Sequence, residues 1–417
     1  MAHLLIIDLP GGNDVDIVQA AIERSDEFTF LTSHLALYQQ QTLVNVKLAA
    51  ARELIEISPF DYAAVEQRIL ALHAHRPIDA VLCLIDIRMT EAARLAERLG
   101  VRHLNPASAA LLRDKFDVRS RLAEQGLAQP EFMLAQSNQE LQQAVKTMGL
   151  PVLIKPADGY GSQNIILLRH PEDLDPMLSP LDDLLPCRAD YGLGVLANDR
   201  WLVERYLSGR FIGCDTLTVD GRHQLLGINE KLFFEPPSFA IFGGCFTPNN
   251  PTVEAIERYV FAALDAVGFD CGAAHTELML TDSGPQLIEI NSRLVGAKIA
   301  RLIGYALDRS IHADLISLHL GETLAPLTTQ TPAVAVTRWI VADREGILER
   351  VDLPLQPAPG VRCVELLKLP GDRVRRPLQN ADRIGYVMTC AASRAEAEQL
   401  ADDFLAQTRV CLQANTD

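Results

Sequence analysis

The chain has 417 residues, which at roughly 150 residues per domain predicts two to three domains with sizeable cores and excludes a small disulfide-stapled protein. The sequence holds 38 Lys and Arg against 54 Asp and Glu, and the resulting net charge of -16 makes nucleic acid an unlikely partner because it repels polyanions. Hydrophobic residues make up 48% and charged residues 22%, the balance of a folded globular protein.

The cysteines and the first residues bear on the compartment. The eight cysteines are scattered, without a CxxC pair or a Cys/His cluster at zinc-ligand spacing, so we expect buried, reduced thiols. The start, MAHLLIIDLPGG, has no basic segment and is typical of a first strand rather than a signal peptide. No apolar stretch reaches the roughly 20 residues that span a bilayer. We therefore expect a cytoplasmic protein with no membrane partner.

The first third of the chain alternates short apolar runs with helical patterns, which predicts βαβ units around a parallel sheet. The expected strands are 3–8, 28–32 and 80–85, and the expected helices are 14–24, 90–99 and 107–125. Gly11 and Gly12 follow the first strand but do not continue as GxGxxG, so a dinucleotide-binding fingerprint is absent.

The rest of the chain reads as α+β. The expected strands are 151–155, 164–168, 201–207 and 211–219, with a Gly-rich loop over 158–162 and a helix over 251–267. A Pro/Thr-rich stretch over 324–332 is the predicted linker to a C-terminal module. That module is expected to contain strands near 334–341, 363–368 and 383–391 and a helix over 394–407.

The segment HTELMLTDSGPQLIEINSR, residues 275–293, predicts a β-hairpin because two alternating runs flank the turn sequence Asp-Ser-Gly. If the turn centres on Ser283, Glu277 lies opposite Glu289 and His275 lies opposite Asn291. Alternation places one set of side chains on a polar face and another set on a core face. The polar set is His275, Glu277, Glu289, Asn291 and Arg293, and the core set is Leu278, Leu280, Ile288 and Ile290.

Two carboxylates that face each other repel unless a cation lies between them. Oxygen ligands with an amide and no thiolate fit Mg²⁺, which completes its shell with substrate phosphates. The alternative is a solvated hairpin face with incidental acids, but the histidine, asparagine and arginine on the same face favour a metal site.

Three further residues give weaker signals. Lys155 ends an apolar strand beside the loop DGYGSQN and could hold phosphate oxygens, although a hairpin turn with an exposed lysine fits equally well. Glu204, in an apolar run, could recognise an adenine edge or simply face solvent. Lys115 lies on a helix, where a lysine usually faces solvent. These residues alone leave both interpretations open.

The order of these motifs resembles the ATP-grasp superfamily of carboxylate-amine ligases over nearly the whole chain, and is most similar to its L-amino-acid-ligase branch. The motifs are Lys115, Lys155 with the Gly-rich loop, Glu204, Glu277, and Glu289-x-Asn291-x-Arg293. The resemblance implies an ATP-grasp fold that combines α/β and α+β regions. Its parts are an N-terminal parallel-sheet domain (1–113), a small lobe (114–207) and a large lobe (208–330) that clamp the nucleotide, and a C-terminal α+β module (331–417).

The resemblance also implies roles for individual residues. Arg293 and Lys155 would be catalytic, and Arg293 and His275 would contact the substrate. Mg²⁺, or Mn²⁺ in its place, would be held by Glu277, Glu289 and Asn291. ATP would be bound by Lys115, Lys155, Gly161, Ser162, Glu204, Arg205, Tyr206 and Leu207. Asn164 stands where similar enzymes often have a glycine.

The activity implied by the resemblance is ATP-dependent joining of an amino acid or small carboxylic acid to the amine of an amino acid, through an acyl phosphate, in dipeptide or peptide-antibiotic synthesis. One alternative is an ATP-grasp enzyme acting on a nucleotide precursor or bicarbonate, and another is a non-catalytic nucleotide-binding regulator. The segment from Gly227 to Phe246 is expected to be a mobile flap over the reaction, with a plain surface loop as the alternative. Related enzymes are often dimers, so a homodimer is a further expectation.

Overall fold

The computed structural model describes most of the chain. The described residues are 1–9, 15–58, 61–159, 165–170, 173, 187–188, 195–196, 200–233, 241–248, 253–296, 298–326, 333–378 and 382–413.

The N-terminal region is the predicted α/β unit. Its strands are β1 (His3–Ile7), β2 (Glu27–Thr32), β3 (Glu53–Glu56) and β4 (Ala80–Cys83). Its helices are α1 (Asp16–Glu23), α2 (Leu35–Gln39), α3 (Thr42–Leu48), α4 (Tyr62–His75) and α5 (Met89–Leu99). The strands are all parallel, in the order β3-β2-β1-β4, and β1 is buried along its whole length. This explains why β1 is apolar from Leu4 to Ile7.

The helix predicted over 107–125 is two helices, so that prediction was wrong. The chain forms α6 (Pro106–Leu111) and then α7 (Lys115–Glu124). The break occurs because Asp114 caps the second helix: its carboxylate accepts hydrogen bonds from the backbone N–H groups of Phe116 and Asp117. Lys115 therefore begins a helix instead of lying in the middle of one.

A second, smaller sheet follows. The elements of this region are β5 (Phe132–Ala135), α8 (Asn138–Met148), β6 (Val152–Pro156), β7 (Ile166–Leu168), β8 (Cys187–Arg188), β9 (Val195–Leu196) and β10 (Trp201–Arg205). Four of the strands pair antiparallel in the order β5-β10-β6-β7. The predicted Gly-rich loop joins the neighbours β6 and β7, as expected, but residues 160–164 lie outside the described part of the chain.

The remaining strands build an eight-stranded antiparallel sheet in the order β15-β14-β11-β12-β13-β16-β20-β18, with a separate sheet β19-β17-β21. The strands are β11 (Arg210–Val219), β12 (Arg222–Phe233), β13 (Ile241–Pro248), β14 (Gly272–Thr281), β15 (Gly284–Asn291), β16 (Val334–Ile340), β17 (Gly346–Asp352), β18 (Val361–Leu366), β19 (Arg373–Val374), β20 (Gly385–Ala391) and β21 (Arg409–Leu412). The helices are α9 (Glu254–Ala266), α10 (Ile299–Leu307), α11 (Ile311–His319) and α12 (Arg394–Gln407).

The segment predicted to be a flap differs from the expectation. Residues 227–233 and 241–246 belong to β12 and β13, which pair from Gly227 with Pro248 to Phe233 with Ile241. A continuous loop over 227–246 was therefore wrong. The prediction of a flap now concerns only residues 234–240, which lie outside the described residues.

The C-terminal strands and helix match the predicted positions, but they do not form an isolated sheet. Strand β16 pairs with β13 across the boundary predicted at residue 330. Trp339 and Tyr386 share one hydrophobic cluster with Leu4 and with Leu302. The large sheet therefore runs across the domain limit predicted at residue 330. The domain limits themselves stay a prediction.

Two expectations about composition concern the whole chain. Of the cysteines whose side chains the structure describes, seven are free thiols, and the prediction that they are buried is confirmed for Cys83, Cys214, Cys245 and Cys271 but wrong for Cys363, Cys390 and Cys411, which are partly buried. Among the described helices, none combines the length and apolar character needed to cross a lipid bilayer.

Candidate active site

The hairpin formed by β14 and β15 places the two predicted metal-binding carboxylates opposite each other. Glu277 pairs with Glu289, and His275 pairs with Asn291, as the sequence predicted. The turn is one position shorter than expected, and a bulge beside Glu277 compensates: Leu278 pairs with Leu287.

The bulge changes which residues enter the core. Leu278, Leu287 and Ile290 are buried, whereas Ile288 and Leu280 are only partly buried. The placement of Ile288 in the core was therefore wrong, because the extra residue in β15 moves Leu287 inward instead.

Each carboxylate of this pair has its own lysine. The Lys231 Nζ lies 2.7 Å from Glu277 Oε1, and the Lys115 Nζ lies 3.6 Å from Glu289 Oε2. The Asn291 amide donates to Glu289 Oε1 at 3.2 Å. Burial alone would raise the pKa of Glu277, but Lys231 and His275 lower it below its usual range. Burial would likewise lower the pKa of Lys231, and Glu277 raises it. Each carboxylate thus has a cationic partner from another element.

These residues fit a divalent metal of the magnesium type. Within the described ranges, no group of three or more His, Cys, Asp or Glu side chains forms a metal cluster. Two glutamates and an amide oxygen on one sheet face are instead the limited oxygen set that Mg²⁺ uses when phosphate and water complete its shell. A metal at Glu277, Glu289 and Asn291 remains a prediction.

A buried ion-pair cluster lies on the small sheet. Glu204 accepts from the Lys155 Nζ at 2.7 Å through one oxygen and from the Arg119 Nε at 2.6 Å through the other. Burial would raise the pKa of Glu204, but Arg119 and Lys155 lower it. Burial lowers the pKa of Lys155, an effect that Glu204 opposes. Glu204 therefore does not face solvent, and its contact with adenine remains a prediction.

Arg119 was not found in the sequence analysis. It lies on α7, one turn after Lys115, and is 1% exposed. Its guanidinium contacts Glu204 on β10 and donates to the carbonyls of Leu287 and Ile288 at 2.6 and 3.0 Å. Arg119 thus connects the helix that carries Lys115, the strand that carries Glu204 and the bulge of the carboxylate hairpin. An arginine on a short polar helix gives no local signal of this role.

Of the other residues predicted to bind ATP, some are described by the structure and some lie outside the described residues. The Lys115 Nζ donates to the carbonyl of Gly159 at 2.8 Å, at the start of the Gly-rich loop. The Arg205 side chain pairs with Glu131, and the backbone N–H of Tyr206 donates to Pro151. Leu207 follows directly after β10. Gly161, Ser162 and Asn164 lie outside the described residues.

The two predicted substrate-contacting residues are placed differently. The Arg293 Nε lies 2.5 Å from Asp86, which follows β4 in the N-terminal region. This pair joins the end of the parallel sheet to the end of the carboxylate hairpin. His275 is 3% exposed, and its Nδ1 donates to Asp215 at 3.0 Å. Their contact with a substrate stays a prediction.

Two parts of the chain match known domain families. Residues 148–301 match the ATP-grasp domain family, and residues 338–413 match the family described as L-amino acid ligase C-terminal domain 2. The chain has an ATP-grasp fold. Both the predicted fold class and the predicted resemblance to L-amino-acid ligases are confirmed.

Two proteins are similar to this chain in sequence, and one crystal structure is similar in fold. It is 30% identical over 307 residues to the uncharacterized protein y4rH of Sinorhizobium fredii, an alignment covering 71% of this chain and 60% of that one. It is 21% identical over 384 residues to the L-arginine-specific L-amino acid ligase of Bacillus subtilis, covering 89% and 85%. The crystal structure of an L-amino acid ligase from Bacillus licheniformis superposes with a TM-score of 0.81 at 19% identity and covers 99% of both chains, which shows a shared fold.

Proposed function

We propose that this ATP-grasp protein is an ATP-dependent carboxylate-amine ligase that joins an amino acid or small carboxylic acid to the amine of an amino acid. The observation that carries the proposal is the facing pair of Glu277 and Glu289, with Lys115 contacting the second of them. The C-terminal domain match favours this activity over an enzyme for nucleotide precursors or bicarbonate. The intact carboxylates favour it over a non-catalytic regulator.

The residues have distinct tasks in this proposal. Lys115 and Lys155 contact the phosphates of ATP, since a lysine ammonium that donates to one acceptor keeps further N–H donors. Glu277, Glu289 and Asn291 hold Mg²⁺, which neutralises phosphate charge when bound; Mn²⁺ in its place is part of the same proposal. Arg293 donates to the phosphoryl group as it moves, and its contact with Asp86 fixes its position.

The reaction then needs no covalent enzyme intermediate. The carboxylate of the first substrate attacks the γ-phosphorus of ATP, which gives an acyl phosphate and ADP. The amine of the second substrate attacks the acyl carbon, the C–O bond to phosphate breaks, and an amide and inorganic phosphate result. Positioning and charge stabilisation supply most of the rate in phosphoryl transfer. A cytoplasmic location and a homodimer are further parts of the proposal.

The direct test is phosphate release in the presence of ATP, Mg²⁺ and pairs of amino acids, with mass spectrometry of the product. We expect phosphate release that depends on amino acids and a dipeptide or related amide as the product. Turnover that is independent of amino acids and stimulated by bicarbonate or a nucleotide precursor would contradict the proposal.

Glu289→Gln tests the metal assignment. We expect turnover to fall about a hundredfold or more, because the amide replaces a charged ligand of the ion that neutralises phosphate. Circular dichroism should show an unchanged fold. Glu254→Gln, on the exposed surface of α9, is the matched control and should retain turnover. Normal product formation by Glu289→Gln would show that Glu289 does not hold the metal.

A further inference from the structure

A buried polar network adjoins the predicted metal ligands, and two of its members, Asp215 and Gly213, have no part in the roles assigned above. Strand pairing aligns two rows of residues across the large sheet. One row runs from Asn229 through Gly213 and Glu277 to Glu289, and the next runs from Gly227 through Asp215 and His275 to Asn291. Both rows therefore cross β12, β11, β14 and β15 on one face of the sheet.

Asp215 is the centre of this network. It is 1% exposed, and one of its carboxylate oxygens accepts from the His275 Nδ1 at 3.0 Å. The other oxygen accepts from the side-chain amide of Asn229. A buried carboxylate is costly unless it is hydrogen-bonded, so these two donors account for its presence.

The network reaches the predicted metal ligand through His275. The His275 Nε2 lies 3.4 Å from Glu277 Oε1, the oxygen that also contacts Lys231 at 2.7 Å. The Lys231 ammonium in turn lies 5.2 Å from the centre of the Phe211 ring. One oxygen of Glu277 thus lies within ion-pair distance of a histidine from its own strand and of a lysine from β12.

Gly213 provides the space for the histidine ring. Gly213 lies between Asn229 and Glu277 in the first row, and a Cβ atom at this position would lie 2.4 Å from His275 Cε1. No real side chain tolerates such a contact without movement of the ring. The glycine therefore permits the orientation in which His275 contacts Asp215 and Glu277 at the same time.

We propose that Asp215 and Gly213 are positioning residues that fix His275, and through it the Glu277 carboxylate, in the orientation required to bind the divalent metal. This inference rests on the proposed function and deepens it. In this inference His275 orients the metal ligand, and its predicted contact with the substrate stays a prediction. Side chains that orient metal ligands typically affect metal affinity by about 10- to 100-fold when they are changed.

The test is calorimetric titration of the full-length protein with ADP at a series of Mg²⁺ concentrations, without turnover. Asp215→Asn keeps the size of the side chain but replaces one acceptor oxygen by an NH2 group, and since His275 and Asn229 contact different oxygens of Asp215, one of these donors then faces another donor. We expect the Mg²⁺ concentration for the half-maximal gain in ADP affinity to rise about tenfold. ADP affinity in the absence of Mg²⁺ should match that of the wild type.

A second variant and a control separate positioning from stability. Gly213→Ala keeps every charge and hydrogen-bonding group but displaces the His275 ring, so it should shift the Mg²⁺ dependence in the same direction. Thr216→Val, a buried neighbour of Asp215 whose hydroxyl donates to the carbonyl of Ala274, is the matched control. It should alter the melting temperature at most, with the Mg²⁺ dependence of the wild type.

The outcomes distinguish this inference from the proposed function. If Asp215→Asn and Gly213→Ala lower the melting temperature but bind ADP with the Mg²⁺ dependence of the wild type, the network is structural and the inference is overturned. If the wild type itself binds ADP with no gain from Mg²⁺, the proposed function is wrong, and this inference falls with it.

Discussion

Arg119 illustrates how much of the site depends on one buried side chain. Its guanidinium contacts the carboxylate of Glu204 and two carbonyls of the hairpin. Without Arg119, each of these acceptors would lose a charged hydrogen-bond donor at a buried position. A lysine could neutralise Glu204, but it lacks the planar fork that reaches three acceptors in fixed directions. The ion pair and the hairpin contacts therefore require arginine.

Replacement of Arg119 tests this role. We expect Arg119→Met to lower the free energy of unfolding by about 3 kcal/mol or more, because it leaves Glu204 with only Lys155 as a charged partner in a buried site. Urea denaturation measures the loss. Arg121→Met, on an exposed part of the same helix, is the control and should stay within about 0.5 kcal/mol of the wild type. Equal losses in the two variants would show that Arg119 contributes only helix packing.

At the level of single residues, the sequence predicted the pairing of Glu277 with Glu289 because turn position and two-residue periodicity determine which side chains face each other. It could not predict the partners that come from distant strands and helices. Lys231, Asp215 and Arg119 reach the site through packing between elements, which no local pattern encodes.

Single elements were predicted well where they are regular and poorly where a side chain interrupts them. The sequence over 107–125 predicted one helix, yet Asp114 accepts two backbone hydrogen bonds and starts a new one. The second oxygen of Asp114 also pairs with Arg200 at 2.8 Å, just before β10. The cap therefore orients the first turn of α7, from which Lys115 reaches Gly159 and Glu289.

Loss of this cap tests the link between helix start and nucleotide binding. Asp114→Ala should cost about 1 kcal/mol of stability, the usual effect of removing an N-cap. It should also weaken ADP binding, because the first turn that holds Lys115 loses its anchor. Ser137→Ala removes the cap of α8, where Ser137 accepts from Glu140, and is the matched control. The melting temperature should fall by a similar amount in both variants, but the affinity for ADP should fall only in Asp114→Ala. An unchanged ADP affinity in Asp114→Ala would show that the helix cap does not affect nucleotide binding.

At the scale of the whole molecule, the sequence predicted the types of region in the right order but not how they join. The boundary before the C-terminal region was inferred from a Pro/Thr-rich stretch, and composition alone cannot reveal that strands on either side of it pair in one sheet. Contacts between regions far apart in sequence, such as Arg293 with Asp86, are set by the tertiary fold. The reaction proposed here depends on these contacts, because they bring the N-terminal region to the end of the carboxylate hairpin.

Two histidines, His103 and His319, lie next to each other where the N-terminal region contacts α11. We expect their protonation to make the stability of this contact depend on pH. The rings of His103 and His319 lie 5.1 Å apart, and their Nδ1 atoms contact the carbonyls of Leu104 and Arg102. Burial lowers the pKa of His319 to about 4 and that of His103 to about 3. The neighbouring His319 ring also contributes to the low pKa of His103. Both rings are therefore neutral in the folded protein.

The consequence is a loss of stability in acid. Because the pKa values of the folded protein lie below the unfolded value of about 6.5, the unfolded chain binds protons that the folded chain does not as the pH falls from about 6.5 towards 4. Each histidine should then reduce the free energy of unfolding by up to roughly 1.4 kcal/mol per pH unit in this window, and add nothing above it.

Urea denaturation across this range should show a shallower pH dependence for His319→Gln, since glutamine can donate to the Arg102 carbonyl and does not titrate. His75→Gln, on an exposed surface, should keep the wild-type dependence; an identical slope for His319→Gln would show that the buried ring is not what makes this junction acid-sensitive.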